Sequence, residues 1–239
     1  LVALDDTSFE RYGRSLNEWD RTVFADLIHW LSGAGARVIT LDILFNQSTP
    51  ADGLLIDAIR AARSSDARVR TVLPVIGTSI DLSRSNDQQL YYTGAIRPVE
   101  EIAAAADYLG AINVFPDADN AVRRQISQIN TNSQSFYSLA LASYLAYLRV
   151  PASAAAQLIV SGDGTLTIGA DRLLSVDHNG FWLPNYFRHP GAQGDEIYPT
   201  YSLTDVLDGV VDPAVFTDKI VLIGTLNASA VTDLYDVPV

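Results

Sequence analysis

Four aspartates, two arginines and a threonine are the residues whose types and spacing could do chemistry. Asp5 and Asp6 end the apolar opening Val2-Ala3-Leu4, and Asp42 ends the apolar run through Val38, Ile39 and Leu41. Thr225 closes Ile220 to Gly224, and Asp233 follows shortly after. If the apolar runs are neighbouring strands of an open parallel sheet, their ends share one edge, and ligands of such sheets bind there. An oxygen-only set of this kind suits calcium, magnesium or a polar ligand. Gathered around a divalent ion, Asp5, Asp6 and Asp42 would also suit hydrolysis or phosphoryl transfer. The competing use is structural: each acid caps a helix or turn, or pairs with Arg21 or Arg123. Arg21 opens a helix against the sign of its dipole, so a partner is expected, Asp6 or Asp42 being nearest to hand. Arg123 and Arg124 fall on alternate faces of an expected strand, and Arg123 is taken as the inward one. Asp20, outside this set, reads as a helix N-cap.

Other chemistries lack their residues. Cysteine is absent, which removes disulfides, thiolate metal sites and a cysteine nucleophile. His29, His178 and His189 show no metal-ligand spacing. No Gly-x-Ser-x-Gly elbow occurs, and Ser161-Gly162-Asp163-Gly164 reads as a hairpin turn. Ile223-Gly224-Thr225 offers one glycine of a phosphate loop without the rest of it. Asp5-Asp6-Thr7-Ser8 lacks the Asp-x-Asp spacing of aspartate-nucleophile phosphatases, and Lys219 stands at the wrong end of its strand for a receiver-like site.

The elements that must position these groups follow from periodicity. Residues 1–6, 37–45, 69–76 and 219–225 read as buried strands, the last as a central one. Val23, Phe24, Leu27, Ile28 and Leu31 recur at helical spacing after Asp20, and Gly33 and Gly35 stop that helix. A second helix is expected over 51–63. The alternation predicts an α/β fold with a mainly parallel sheet flanked by helices. Residues 78–94 read as an exposed excursion, 102–108 as a short helix, and 109–115 and 121–130 as strands around a turn at 116–120. A helix is expected over 135–149, with Phe136, Leu139, Ala140, Ser143 and Tyr144 on its buried stripe. Residues 151–201 read as a smaller antiparallel, β-rich insertion with strands near 158–160, 165–168 and 172–174, then an aromatic segment over 181–187. Ser202 with Asp205 resembles a capping box, and Asp212-Pro213 starts another short helix. With neither repeat nor low-complexity linker, residues 1–239 are read as one domain.

Composition narrows the partners. The 239 residues are 48% hydrophobic and 18% charged, which fits a folded chain rather than a disordered one. A formal charge of −12 disfavours nucleic acid and anionic membrane surfaces. Fifteen of the sixteen bases are arginine, Lys219 being the exception. No stretch approaches the ~20 apolar residues of a membrane span. Methionine is absent and the chain opens in mid-strand, so a segment of a longer protein is expected.

The chain resembles the CHASE type-two sensor domain, of the cyclases/histidine kinases associated sensory extracellular group. The likeness is carried by Val2-Ala3-Leu4-Asp5-Asp6-Thr7-Ser8, by Trp19-Asp20-Arg21, and by Gly35 to Phe45. It continues through Val72-Leu73-Pro74-Val75 and Leu109-Gly110-Ala111-Ile112-Asn113 to Arg123-Arg124. It ends with Ser202 to Gly209, Lys219 to Thr225, Thr232-Asp233 and Pro238. Two departures stand out: Asp119-Asn120 replaces the usual Asp-Gly turn, and the first helix is entered without prolines. The resemblance implies a sensory module outside the cytoplasm, without catalytic activity or cofactor. It implies a transmembrane parent whose membrane helices lead to a cytoplasmic cyclase, histidine kinase or serine/threonine kinase, and a homodimer by analogy with such outputs. The signal is left open as a small molecule or ion. Asp5, Asp6, Arg21, Asp42, Arg123, Thr225 and Asp233 are the expected contacts.

Overall fold

The computed structural model describes residues 1–16, 19–85, 90–155, 165–167, 173–177, 180–185 and 198–226. The first strands and helices are β1 (Val2–Leu4), α1 (Asp6–Tyr12), α2 (Arg21–Gly33), β2 (Val38–Leu41), α3 (Asp52–Ser64) and β3 (Arg70–Ile80). Next come β4 (Tyr92–Ile96), α4 (Glu100–Ala105), β5 (Tyr108–Ala111), β6 (Gln125–Ile126), β7 (Gln128–Asn130), β8 (Ser135–Tyr137) and α5 (Leu139–Tyr147). The remainder are α6 (Ala152–Ala155), β9 (Thr165–Thr167), β10 (Leu173–Ser175), β11 (Phe181–Trp182), β12 (Tyr201–Ser202), α7 (Leu203–Leu207), a 3₁₀ turn (Pro213–Phe216) and β13 (Ile220–Thr225). The fold is α/β: a mostly parallel sheet with helices, plus small antiparallel sheets. Its residues group into two compact units.

Unit 1 comprises Leu1–Pro74, Arg97–Tyr108 and Glu196–Asp233. Its sheet runs β12-β1-β13-β2-β3, every pair parallel. The crossovers through α2, α3 and α7 all step the same way along this order. Right-handed connections therefore put the three helices on one face, and α2 packs against both α3 and α7. The covered face is apolar: Val2, Leu4, Ile39, Leu41, Val221 and Ile223 are all buried. Alternate residues of β13 point the other way, leaving Ile220 and Leu222 about two-fifths exposed, at 41% and 39%. β13 is central, between β1 and β2, as expected, but it is not buried throughout as its apolar run suggests.

The caps are those the sequence suggests. Asp20 accepts from Thr22 N at the start of α2, Ser202 from Thr204 N at α7, and Asp212 from Ala214 N at the 3₁₀ turn. The second strand is shorter than expected, ending at Leu41 rather than Phe45. The chain leaves the sheet there because Phe45 turns into the core, edge-on to Phe24 at 5.2 Å.

Unit 2 comprises Val75–Ile96, Leu109–Asp195 and Leu234–Val239. The later half of β3 pairs antiparallel with β4, so part of the expected excursion is a hairpin instead. The pairs β6–β11, β7–β8 and β9–β10 are antiparallel. The helix expected over 135–149 starts only at Leu139, capped by Ser138 Oγ on Leu141 N. Residues Ser135 to Tyr137 are extended because they pair with β7; in the helix Ser143 is buried as expected, but its buried companions are Leu141, Ala142, Leu145 and Ala146 rather than Leu139, Ala140 and Tyr144. Phe136 is buried on β8 rather than on a helix. Gly110 of β5 allows α5 to approach: a Cβ there would lie 2.6 Å from Leu139 Cα. Within the β-rich stretch, β9, β10 and β11 are described, whereas the expected strand at 158–160 and the aromatics Tyr186 and Phe187 lie outside the described residues.

Candidate functional site

The carboxyl edge of the unit 1 sheet gathers three of the expected residues. Leu4 is opposite Thr225, and Leu41 is opposite Ile223, so β1, β13 and β2 end side by side. The ladder runs one step further: Leu226 N donates to Leu4 O at 3.1 Å, and Asp42 N to Ile223 O at 2.8 Å. Asp5 and Asp42 follow directly from β1 and β2, and Thr225 is the last residue of β13. Gly224 faces Asp42, and a Cβ at the glycine would meet Asp42 Cβ at an ordinary 3.8 Å.

Asp5 is the best-defined of the acids. It caps α1, accepting from Ser8 N at 3.0 Å and Ser8 Oγ at 2.7 Å. Burial pushes its carboxyl up, but the hydrogen bonds from Ser8 and Ser202 outweigh that and hold it below the usual range. Asp6 occupies the first turn of α1, where a negative charge suits the dipole, and is exposed. Asp42 is exposed. Asp233 lies outside the described residues. Among the described residues, no three or more His, Cys, Asp or Glu side chains form a group able to hold a metal ion.

Arg21 has a partner, but it is Asp52 rather than Asp6 or Asp42. Its Nε lies 3.2 Å from Asp52 Oδ1, and its Nη2 donates to Gln47 O at 3.0 Å. The guanidinium stacks over Phe45, 4.7 Å from the ring centre. Both charged side chains are largely buried, 7% and 11% exposed. Asp52 accepts in addition from Thr49 N, Thr49 Oγ1 and Ser48 Oγ, at 2.9, 2.9 and 3.1 Å. Burial pushes the Asp52 carboxyl up, and the bonds from Thr49, Ser48 and Arg21 more than reverse it. The pairing arises because α2 and α3 pack side by side with both amino ends at the same sheet edge. This cluster ties the β2–α3 loop to the start of α2. Asp52 was not among the expected site residues, although Thr49-x-x-Asp52 is a visible capping pattern.

In unit 2 the two arginines both find acids. Arg123 bridges Asp117 at 3.0 Å and grips Asp119 with two bonds of 2.8 and 2.7 Å. Arg124 bonds Asp117 at 2.8 Å and lies over the Phe181 ring at 5.3 Å. Neither points inward: their side chains are 41% and 42% exposed. The strand begins only at Gln125, so the alternation expected of Arg123 and Arg124 does not apply to them. Asn120 adopts a left-handed φ of 63°, as an asparagine replacing glycine in that turn must. Asn113 does the work of a strand residue with its side chain, giving Nδ2 to Gly77 O at 3.0 Å and accepting Gly77 N at 2.8 Å.

The CHASE2 domain model matches residues 1–239, the whole chain. No curated protein and no solved structure matches the chain. Among the described residues no helix is long and apolar enough to cross a membrane. With the match spanning both compact units, the chain belongs to the CHASE2 family, extracellular sensory domains of signalling proteins.

Proposed function

We propose that residues 1–239 form one extracytoplasmic input domain, with 151–201 as its β-rich insertion, in a transmembrane receptor. The observation that carries this reading is the family match over the full chain. The output is a cytoplasmic cyclase, histidine kinase or serine/threonine kinase in the same polypeptide, joined through membrane helices and working as a homodimer. The domain itself catalyses nothing and needs no cofactor. It recognises a small-molecule or ionic signal at the carboxyl edge of the parallel sheet, where Asp5, Asp42 and Thr225 emerge together. Asp6 and Asp233 belong to the same proposed contact set. Arg21 enters it as the holder of the β2–α3 loop that it anchors. Signalling then requires two conformations that bind the signal with different affinity, since equal affinity shifts no population.

Location is the decisive test. The chain has no cysteine and Asp66 is exposed, so Asp66→Cys introduces a single accessible thiol into this domain. In the full-length parent, a membrane-impermeant maleimide should label that thiol in spheroplasts. Labelling only after lysis would place the domain in the cytoplasm and overturn the proposal.

A further inference from the structure

We draw no further inference here: the strongest candidate, the exposed apolar stripe of Ile220 and Leu222 on β13 below the acidic strand ends, carries nothing because nothing in the structure shows what covers it.

Discussion

Arg21 with Asp52 and Arg123 with Asp119 are the same pair of side chains in opposite surroundings. The first is enclosed, with the guanidinium flat on Phe45 and the carboxylate bonded by Ser48 and Thr49. The second lies on a turn, its aspartate side chain 59% exposed. Geometry favours the exposed pair, whose two bonds of 2.8 and 2.7 Å are shorter than the 3.2 Å contact of the buried one. Burial decides the consequence of breaking them. An exposed charge that loses its partner returns to water, whereas a buried one has no such recourse. Contact length alone is therefore a poor guide to which arginine the fold depends on.

The largest expected effect follows directly. Arg21→Met keeps much of the side-chain volume but leaves the Asp52 carboxylate enclosed without its cation. A loss of about 3–5 kcal/mol is expected, read from urea unfolding. Replacing both partners, as Arg21→Met with Asp52→Leu, should cost less than Arg21→Met alone, since no charge is then stranded. Arg21→Lys should rescue only in part, because an ammonium cannot reproduce the planar stack on Phe45. If Arg21→Met proves no worse than Arg123→Met, burial is not what separates the two pairs.

Gly110 supplies a second comparison, between steric and electrostatic dependence. Gly110→Ala would set a Cβ 2.6 Å from Leu139 Cα and 3.1 Å from Leu139 N, against backbone that cannot rotate aside. A loss of about 1–3 kcal/mol is expected in the same urea experiment, insensitive to salt. Gly224→Ala serves as the control, because its nearest neighbour would be 3.8 Å away. Equal losses at the two glycines would show that the approach of α5 does not constrain Gly110.

The sequence discloses local features of this fold better than it discloses partnerships. Asp20, Ser202 and Asp212 announce their helices because a cap bonds backbone two residues on, and such contacts are written in adjacent positions. The central place of β13 is only partly legible: an apolar run such as Ile220 to Ile223 normally signals cover on both faces, yet Ile220 and Leu222 remain about two-fifths exposed. Residues Ser135 to Tyr137 deceive because Phe136 falls at helical spacing from Leu139 and Ala140, while their pairing with β7 is a tertiary matter. The Arg21 partner is hidden for the same reason. Asp52 is 31 positions away and meets Arg21 only through the packing of α2 on α3. At the candidate site, the convergence of Asp5, Asp42 and Thr225 follows from parallel strand order, which the β-α-β pattern implies. The placing of β13 between β1 and β2 does not follow from sequence order.

Asp5 tests the strand-end acids against their structural use. Asp5→Ala removes the bonds to Ser8 N and Ser8 Oγ and should cost about 1 kcal/mol, as N-cap losses do. Asp5→Asn retains an acceptor and should recover most of that at neutral pH. The wild-type carboxyl is held below its ordinary value, so its contribution is full above the unfolded value of 3.8. The advantage of Asp5 over Asn should therefore shrink as the pH falls through the lowered folded value. An unchanged difference across that range would detach the cap from the carboxylate charge.

The smallest effect belongs to the exposed turn. The two bonds from Arg123, with that from Ala121 N, draw the Asp119 carboxyl from 3.8 down to about 2. Its folded value is the lower one, so its stabilisation is present above 3.8 and is lost as the pH drops towards about 2. Asp119→Asn should thus resemble wild type at pH 2 and fall slightly behind it at pH 5, in urea unfolding at low salt. Raising the salt to 1 M should erase most of the difference at pH 5, because the pair stands in solvent and the Debye length shrinks to about 3 Å. The same salt should leave the cost of Arg21→Met largely intact, since screening ions do not reach an enclosed pair. A salt-resistant Asp119 difference would mean that the turn is shielded from solvent. The contrast between the two arginines would then rest on something other than water.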